Sequence, residues 1–256
     1  MGFYDHTKEE RTKLVEKINR HILSDIHENK VGFIIEYFSD KDTYIRKAAY
    51  QAMGKIFFAN QKLQNKIILL FEKLLKEKDP RIRQSAINAA GEIAIREFET
   101  VEHLFDLGIF DEHHSVKNAV IGSLKKAGEK NPEPVFIFAR KYLHHPDEEV
   151  RREICHGIEL RGRKYPLEVL PLLKELQHEQ KARVRNMVIH VLGQIAYEAG
   201  CLEKVVADLN HWENKELVEE ALGEIIEVHG RYKNFAAFTQ RQAAEYIGKH
   251  YKKTNS

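Results

Sequence analysis

Sliding the chain along itself brings one twelve-residue pattern into register six times, and that recurrence limits the possible folds more than any other feature. IRKAAYQAMGKI begins at Ile45, IRQSAINAAGEI at Ile82 and VKNAVIGSLKKA at Val116. VRREICHGIELR begins at Val150, VRNMVIHVLGQI at Val184 and a degenerate VEEALGEIIEVH at Val218. Successive starts lie 37, 34, 34, 34 and 34 residues apart. A fixed period of this length is the mark of a stacked repeat, in which each unit buries its apolar face against its neighbours.

Each pattern predicts a helix. Counting from the anchor, the positions three, four, seven and eleven later are mostly small or apolar: Ala48, Ala49, Ala52 and Ile56 in one copy, Met187, Val188, Val191 and Ile195 in another. At 3.6 residues per turn these share one face. Gly54, Gly91 and Gly193 recur at one offset. A glycine inside a helix costs about 1 kcal/mol against alanine, so its return predicts close approach by a neighbouring helix.

Before each anchor lies a second amphipathic stretch, such as LQNKIILLFEKLL, VEHLFDLGIF or LEVLPLLKEL, then a short polar link such as SDKD, DEHHS or HPDEE. The unit is therefore helix, tight turn, helix. Asp42, Asp79 and Asp147 stand three residues before their anchors, where a carboxylate caps unpaired amides. Pro80 and Pro146 are placed at the start of the second helix, where a missing N–H costs nothing. An N-terminal helix over 8–23 and a C-terminal one over 239–252 are expected to cap the array, and no linker long enough to separate two domains is visible.

Composition agrees. The chain has 256 residues, 43% of them apolar and 31% charged, enough for a core and against general disorder. With only 14 glycines and 6 prolines, it lacks the frequent turns of an all-β fold. The formal charge of +2 gives no general surplus for neutralising phosphates. Cys155 and Cys201 form no metal-binding set and read as buried, reduced thiols. The polar start MGFYDHTKEERTK predicts no secretory signal, and the apolar runs are too short to span a bilayer. A cytoplasmic protein is expected.

The segment LEVLPLLKELQHEQKARVRNMVIHVLGQIA, with Pro171 in the first helix, Val184-Arg185 opening the second and Leu192-Gly193 near its end, resembles HEAT repeats. The likeness extends over roughly residues 28–229. It implies an all-α fold, a right-handed α-α superhelix of about six HEAT-like helix pairs with helical caps, forming one solenoid domain over 1–256. It also implies a non-catalytic scaffold that binds a protein or peptide partner on the concave face lined by second helices.

The residues expected to make that contact are Arg46, Tyr50, Arg83, Asn88, Lys117, Arg151, Arg152, His156, Arg185 and His190, with Gln51 and Asn186 beside them. The cations directly after the anchors read two ways. They either pair with turn carboxylates such as Asp42, Asp79 and Asp147, or they form a patchy basic edge, joined by Arg81, Lys181 and Arg183, that meets an acidic partner or nucleic acid.

Two enzymatic branches share this architecture. The chain is similar, faintly, to the AlkD-type DNA-alkylation-repair glycosylases, whose tryptophan-and-acid cluster would fall on Trp212, Glu213 and Glu216 in NHWENKELVEEA. It is unlike the di-iron deoxyhypusine hydroxylases, whose His-Glu dipeptides would fall on Arg152-Glu153 and Asn186-Met187. The pairs His113-His114 and His144-His145, with His178, sit in successive turns and raise the question of a metal, yet exposed turns tolerate histidine freely. RGRKY, residues 161–165, reads as a helix end at Gly162 whose cations complement the helix dipole. No phosphate loop, nucleophile elbow or HExxH motif is present. No cofactor or metal is expected, and nothing in the sequence speaks to oligomeric state.

Overall fold

The periodic segments fold as helices joined by the tight turns the polar links predict. The structure, a computed structural model, describes residues 2–252, and among these there is no β-strand. The helices are α1 (Lys8–Glu28), α2 (Gly32–Phe38), α3 (Thr43–Ala59), α4 (Gln64–Leu74), α5 (Pro80–Ala94), α6 (Phe98–Gly108) and α7 (His114–Lys130). They continue with α8 (Pro132–Tyr142), α9 (Glu148–Gly157), α10 (Glu159–Lys164), α11 (Pro166–Glu175), α12 (Ala182–Gln194), α13 (Leu202–Leu209), α14 (Lys215–Arg231) and α15 (Gln240–His250). A single 3-10 turn, Phe3–Asp5, precedes α1. No helix among the described residues is long and apolar enough to cross a membrane.

The helices gather into two compact units, Met1–Asn131 and Pro132–Ser256. In the first, α2 pairs with α3, α4 with α5 and α6 with α7, and the second helices pack in the order α1, α3, α5, α7. In the second, α8 pairs with α9, and the second helices pack as α9, α12, α14, with α15 closing the row. The first helices α11 and α13 form the parallel layer, and α13 also meets α15. The helices of the six expected pairs all follow in chain order, three pairs in each unit.

Local chemistry sets the boundaries. Asp42, Asp79 and Asp147 accept the amide hydrogens of Tyr44, Arg81 and Glu149 at 2.7, 2.8 and 2.8 Å, as their spacing predicts. Pro80 is the first residue of α5. Pro146 differs from expectation: Asp147 is the cap, so the proline lies in the turn and contributes its carbonyl instead. The N-terminal helix runs to Glu28 rather than residue 23, because buried Asp25 accepts the Ile34 N–H at 3.1 Å and ties its last turn to α2. The C-terminal helix spans Gln240–His250, capped by Thr239.

The recurrent glycines sit where helices approach most closely. A Cβ built on Gly54 would lie 2.7 Å from Glu92 Cβ, and one on Gly193 2.7 Å from Glu224 Cγ. Gly162 corrects the sequence reading. It lies within α10 against Ile195, 2.6 Å from an added Cβ, and the helix ends three residues later at Tyr165. Both cysteines are free and buried, and burial pushes the Cys155 thiol up to about 12.

Candidate functional site

The cations after the anchors are built into the turns. Each second helix starts from a turn whose carbonyls have no helical partner, and a guanidinium offers five donors in a fixed fork. Arg83 donates through Nη1 to the carbonyls of Glu77 and Lys78 at 2.8 and 3.1 Å. Its Nε and Nη2 reach Asp111 in the following turn at 2.8 and 2.9 Å. Arg151 repeats the scheme, with the carbonyls of His145 and Pro146 at 2.7 and 3.1 Å and Glu179 at 2.7 Å. Arg46 bonds the carbonyls of Asp40 and Lys41. Arg185 pairs with Glu220, Nη2 to Oε1 at 2.8 Å. Lys117 has no such ion pair among the described residues; an ammonium lacks the fork that spans carbonyl and carboxylate.

The arginines Arg83 and Arg151 thus pair with turn carboxylates of the neighbouring repeat, although not with Asp42, Asp79 or Asp147. Asp79 and Asp147 spend one oxygen on their own helix amides, and the acid for Arg83 and for Arg151 comes from the next turn, 28 residues on. Burial would raise the Asp111 and Glu179 carboxyls, but the arginine bonds and turn amides outweigh it and hold both below the usual carboxylate range. The auxiliary cations are also matched: Arg81 with Asp79, Arg152 with Glu149 and Glu153, Arg183 with Glu149. The edge that read as a patchy basic stripe is largely charge-balanced.

Of the remaining expected contact residues, Asn186 is exposed, whereas Tyr50, Gln51, Asn88, His156 and His190 are half-buried. Tyr50 packs beneath Lys126, 5.7 Å from ammonium to ring centre. His156 and His190, from α9 and α12, face each other edge-on beside Glu159, with ring centres 6.2 Å apart. The turn histidines have structural duties: His113 caps α7, His145 accepts the Asp147 N–H, and His144 and His178 approach Glu175 and Glu213. Trp212 is 1% exposed and donates Nε1–H to Asp208 at 2.6 Å, so its indole belongs to the core and faces no ligand.

Sequence reasoning missed a groove in the first unit, between α1 and α3. Phe3, Tyr4 and Tyr44 form its aromatic wall, the latter two in edge contact at 4.4 Å between centres. Val15, Ala48 and Ala52 form the floor, and Lys47, Gln51 and Lys55 the rim, around about 220 Å³. Arg11 stacks over Tyr4 at 4.8 Å. Asp42 holds the wall in place: while Oδ1 caps α3, Oδ2 accepts the Phe3 N–H, and that bond above all lowers its carboxyl. The rim residues fall two, six and ten past the anchor Ile45, and Gln51 shares its offset with Asn88 in the next repeat of this unit. Phe3 and Tyr4 stand outside the repeat, so its periodicity gave no hint of them.

Comparisons with known proteins agree with this architecture. Residues 138–223 match the family of HEAT repeats, and residues 11–119 match the family of the non-SMC mitotic condensation complex subunit 1. No curated protein matches the sequence. AlkD2 from Streptococcus mutans superposes with a TM-score of 0.56 at 14% identity, over 80% of this chain and 97% of that one. The structure of smu.31 from Streptococcus mutans UA159 does so with a TM-score of 0.53 at 14% identity, again over 80% and 97%. At such identity the likeness is one of fold. The chain has a HEAT-like helical-repeat fold, shared with AlkD2.

Proposed function

We propose that this protein is a non-catalytic interaction scaffold whose second-helix face binds a peptide segment of a partner protein, in the groove between α1 and α3. One observation carries the reading: an apolar, aromatic-walled groove rimmed by cations lies on the face expected to make contact. Phe3, Tyr4 and Tyr44 offer large contact areas at low entropy cost. Lys47, Lys55 and Arg11 favour an acidic segment carrying one or two aromatic or aliphatic side chains. The charge-balanced turn edge and the buried Trp212 weigh against phosphate or lesion binding.

Selection from a random displayed peptide library tests this reading. The wild-type chain is expected to enrich acidic peptides with apolar anchors. Tyr44→Ala should weaken them about tenfold, the loss of about 1.4 kcal/mol at one aromatic anchor, and Lys47→Glu with Lys55→Glu should remove them. Absence of any enriched class, together with duplex-DNA binding that falls steeply with salt and is abolished by Arg151→Glu plus Arg185→Glu, would replace the peptide reading by nucleic-acid binding.

A further inference from the structure

Three of the six repeats carry the close-approach glycine at one offset, and the fourth carries a buried acid there. Nine residues past the anchor, in place of Gly54, Gly91 or Gly193, stands Glu159. It is 2% exposed, and the second helix of this repeat is interrupted beside it, α9 ending at Gly157 and α10 starting at Glu159. Placing a carboxylate at a helix–helix contact carries a desolvation cost that its surroundings must offset. Those surroundings are the Arg163 guanidinium and two imidazoles. His156 and His190 occupy the same offset, six past the anchor, in consecutive repeats, so stacking α12 on α9 brings them together.

Glu159 Oε2 lies 3.3 Å from His156 Nε2 and 3.8 Å from His190 Nε2, and the three ligand atoms all fall within 4.8 Å of one another. Donors about 2.1 Å from a shared metal stand about 3–3.5 Å apart in tetrahedral or octahedral geometry, so only small side-chain shifts separate this arrangement from a coordinating one. The other carboxylate oxygen is fixed from behind. Arg163 donates to Oε1, its Nε at 3.1 Å, and is itself held by Gln194 Oε1 at 2.9 Å and the Tyr197 hydroxyl at 3.3 Å. Such outer contacts orient a ligand toward its ion.

We propose that His156, Glu159 and His190 form a binding site for one first-row divalent transition metal, with coordination positions left open toward the second-helix face. Two imidazoles and one carboxylate suit Zn2+, Fe2+ or Co2+ rather than the all-oxygen shells preferred by Mg2+ and Ca2+. The ion joins α9 and α10 to α12 and offsets the buried carboxylate. This site is distinct from the histidine-rich turns, whose rings serve as caps and ion-pair partners.

The test uses the full chain, stripped with a chelator and titrated with Zn2+ by calorimetry and with Co2+ by visible absorption. One high-affinity ion per chain is expected, with a ligand-field spectrum for Co2+ and a rise in Tm. His156→Gln and His190→Gln, both at half-exposed positions, should each weaken Zn2+ binding at least tenfold, while His113→Gln with His114→Gln leaves it unchanged. Equal binding by wild type and the first two variants, or no stoichiometric binding, overturns the site. Should either variant fail to fold, proton NMR of the wild type decides. Zn2+ must move the His156 and His190 ring signals first, and earlier shifts of other histidines overturn the proposal.

Discussion

Arg83 illustrates how much a single side chain carries in this fold. It is buried, satisfies two turn carbonyls and neutralises a half-buried acid in the adjoining turn. Removing it leaves Asp111 charged and uncompensated, so Arg83→Ala should lower unfolding free energy by about 3 kcal/mol in denaturant titrations. Arg83→Lys should recover less than half of that loss, since an ammonium lacks the planar fork. The sign of the pH effect follows from Asp111, whose carboxyl is held low when folded. Its contribution is present above the ordinary aspartate range and lost as pH falls through the lowered value, so acid unfolding of Asp111→Asn should begin from a lower plateau and rise less steeply. The arginine column was legible in the sequence, but its partners were not. Asp79, the nearest acid, is committed to its own helix amide, and Asp111 becomes a neighbour only when the turns stack. Glu159 was only partly legible: it stands at the offset of the recurrent glycine, but Glu227 at the same offset is exposed, so its burial is decided by how the helices stack.

At the scale of elements, the glycine column makes the sharpest prediction. Propensity alone favours alanine over glycine within a helix by about 1 kcal/mol. A methyl on Gly91 would nonetheless sit 2.8 Å from Ser123 Cβ on α7, inside the contact between α5 and α7. Gly91→Ala should therefore destabilise by about 1–3 kcal/mol, as overpacking does, and thermal unfolding measures it directly. A neutral or stabilising result would mean that these helices have room to separate. The helix pairs, their turns and the aspartate caps follow from period and spacing. Gly162 does not, because it is decided by the neighbouring Ile195, and Pro146 was misplaced because the adjacent Asp147 takes the cap.

For the molecule as a whole, the repeat explains the architecture, and the binding groove arises where the repeat meets a segment outside it. Phe3 and Tyr4 are held against α3 by Asp42, which also caps that helix. As Asp42 has a lowered carboxyl, the anchoring bond persists at neutral pH and is lost only as pH falls through that lowered value. Peptide affinity should thus fall in acid as Asp42 takes up its proton, and Asp42→Ala should reproduce the weakening at neutral pH by about tenfold. The most direct test is amide NMR of the labelled chain titrated with a selected acidic, aromatic-bearing peptide. The account predicts that shifts concentrate at Tyr44, Lys47, Gln51 and Lys55 and need about tenfold more peptide in Tyr44→Ala; shifts centred on the first helices, or unchanged in that variant, would contradict it.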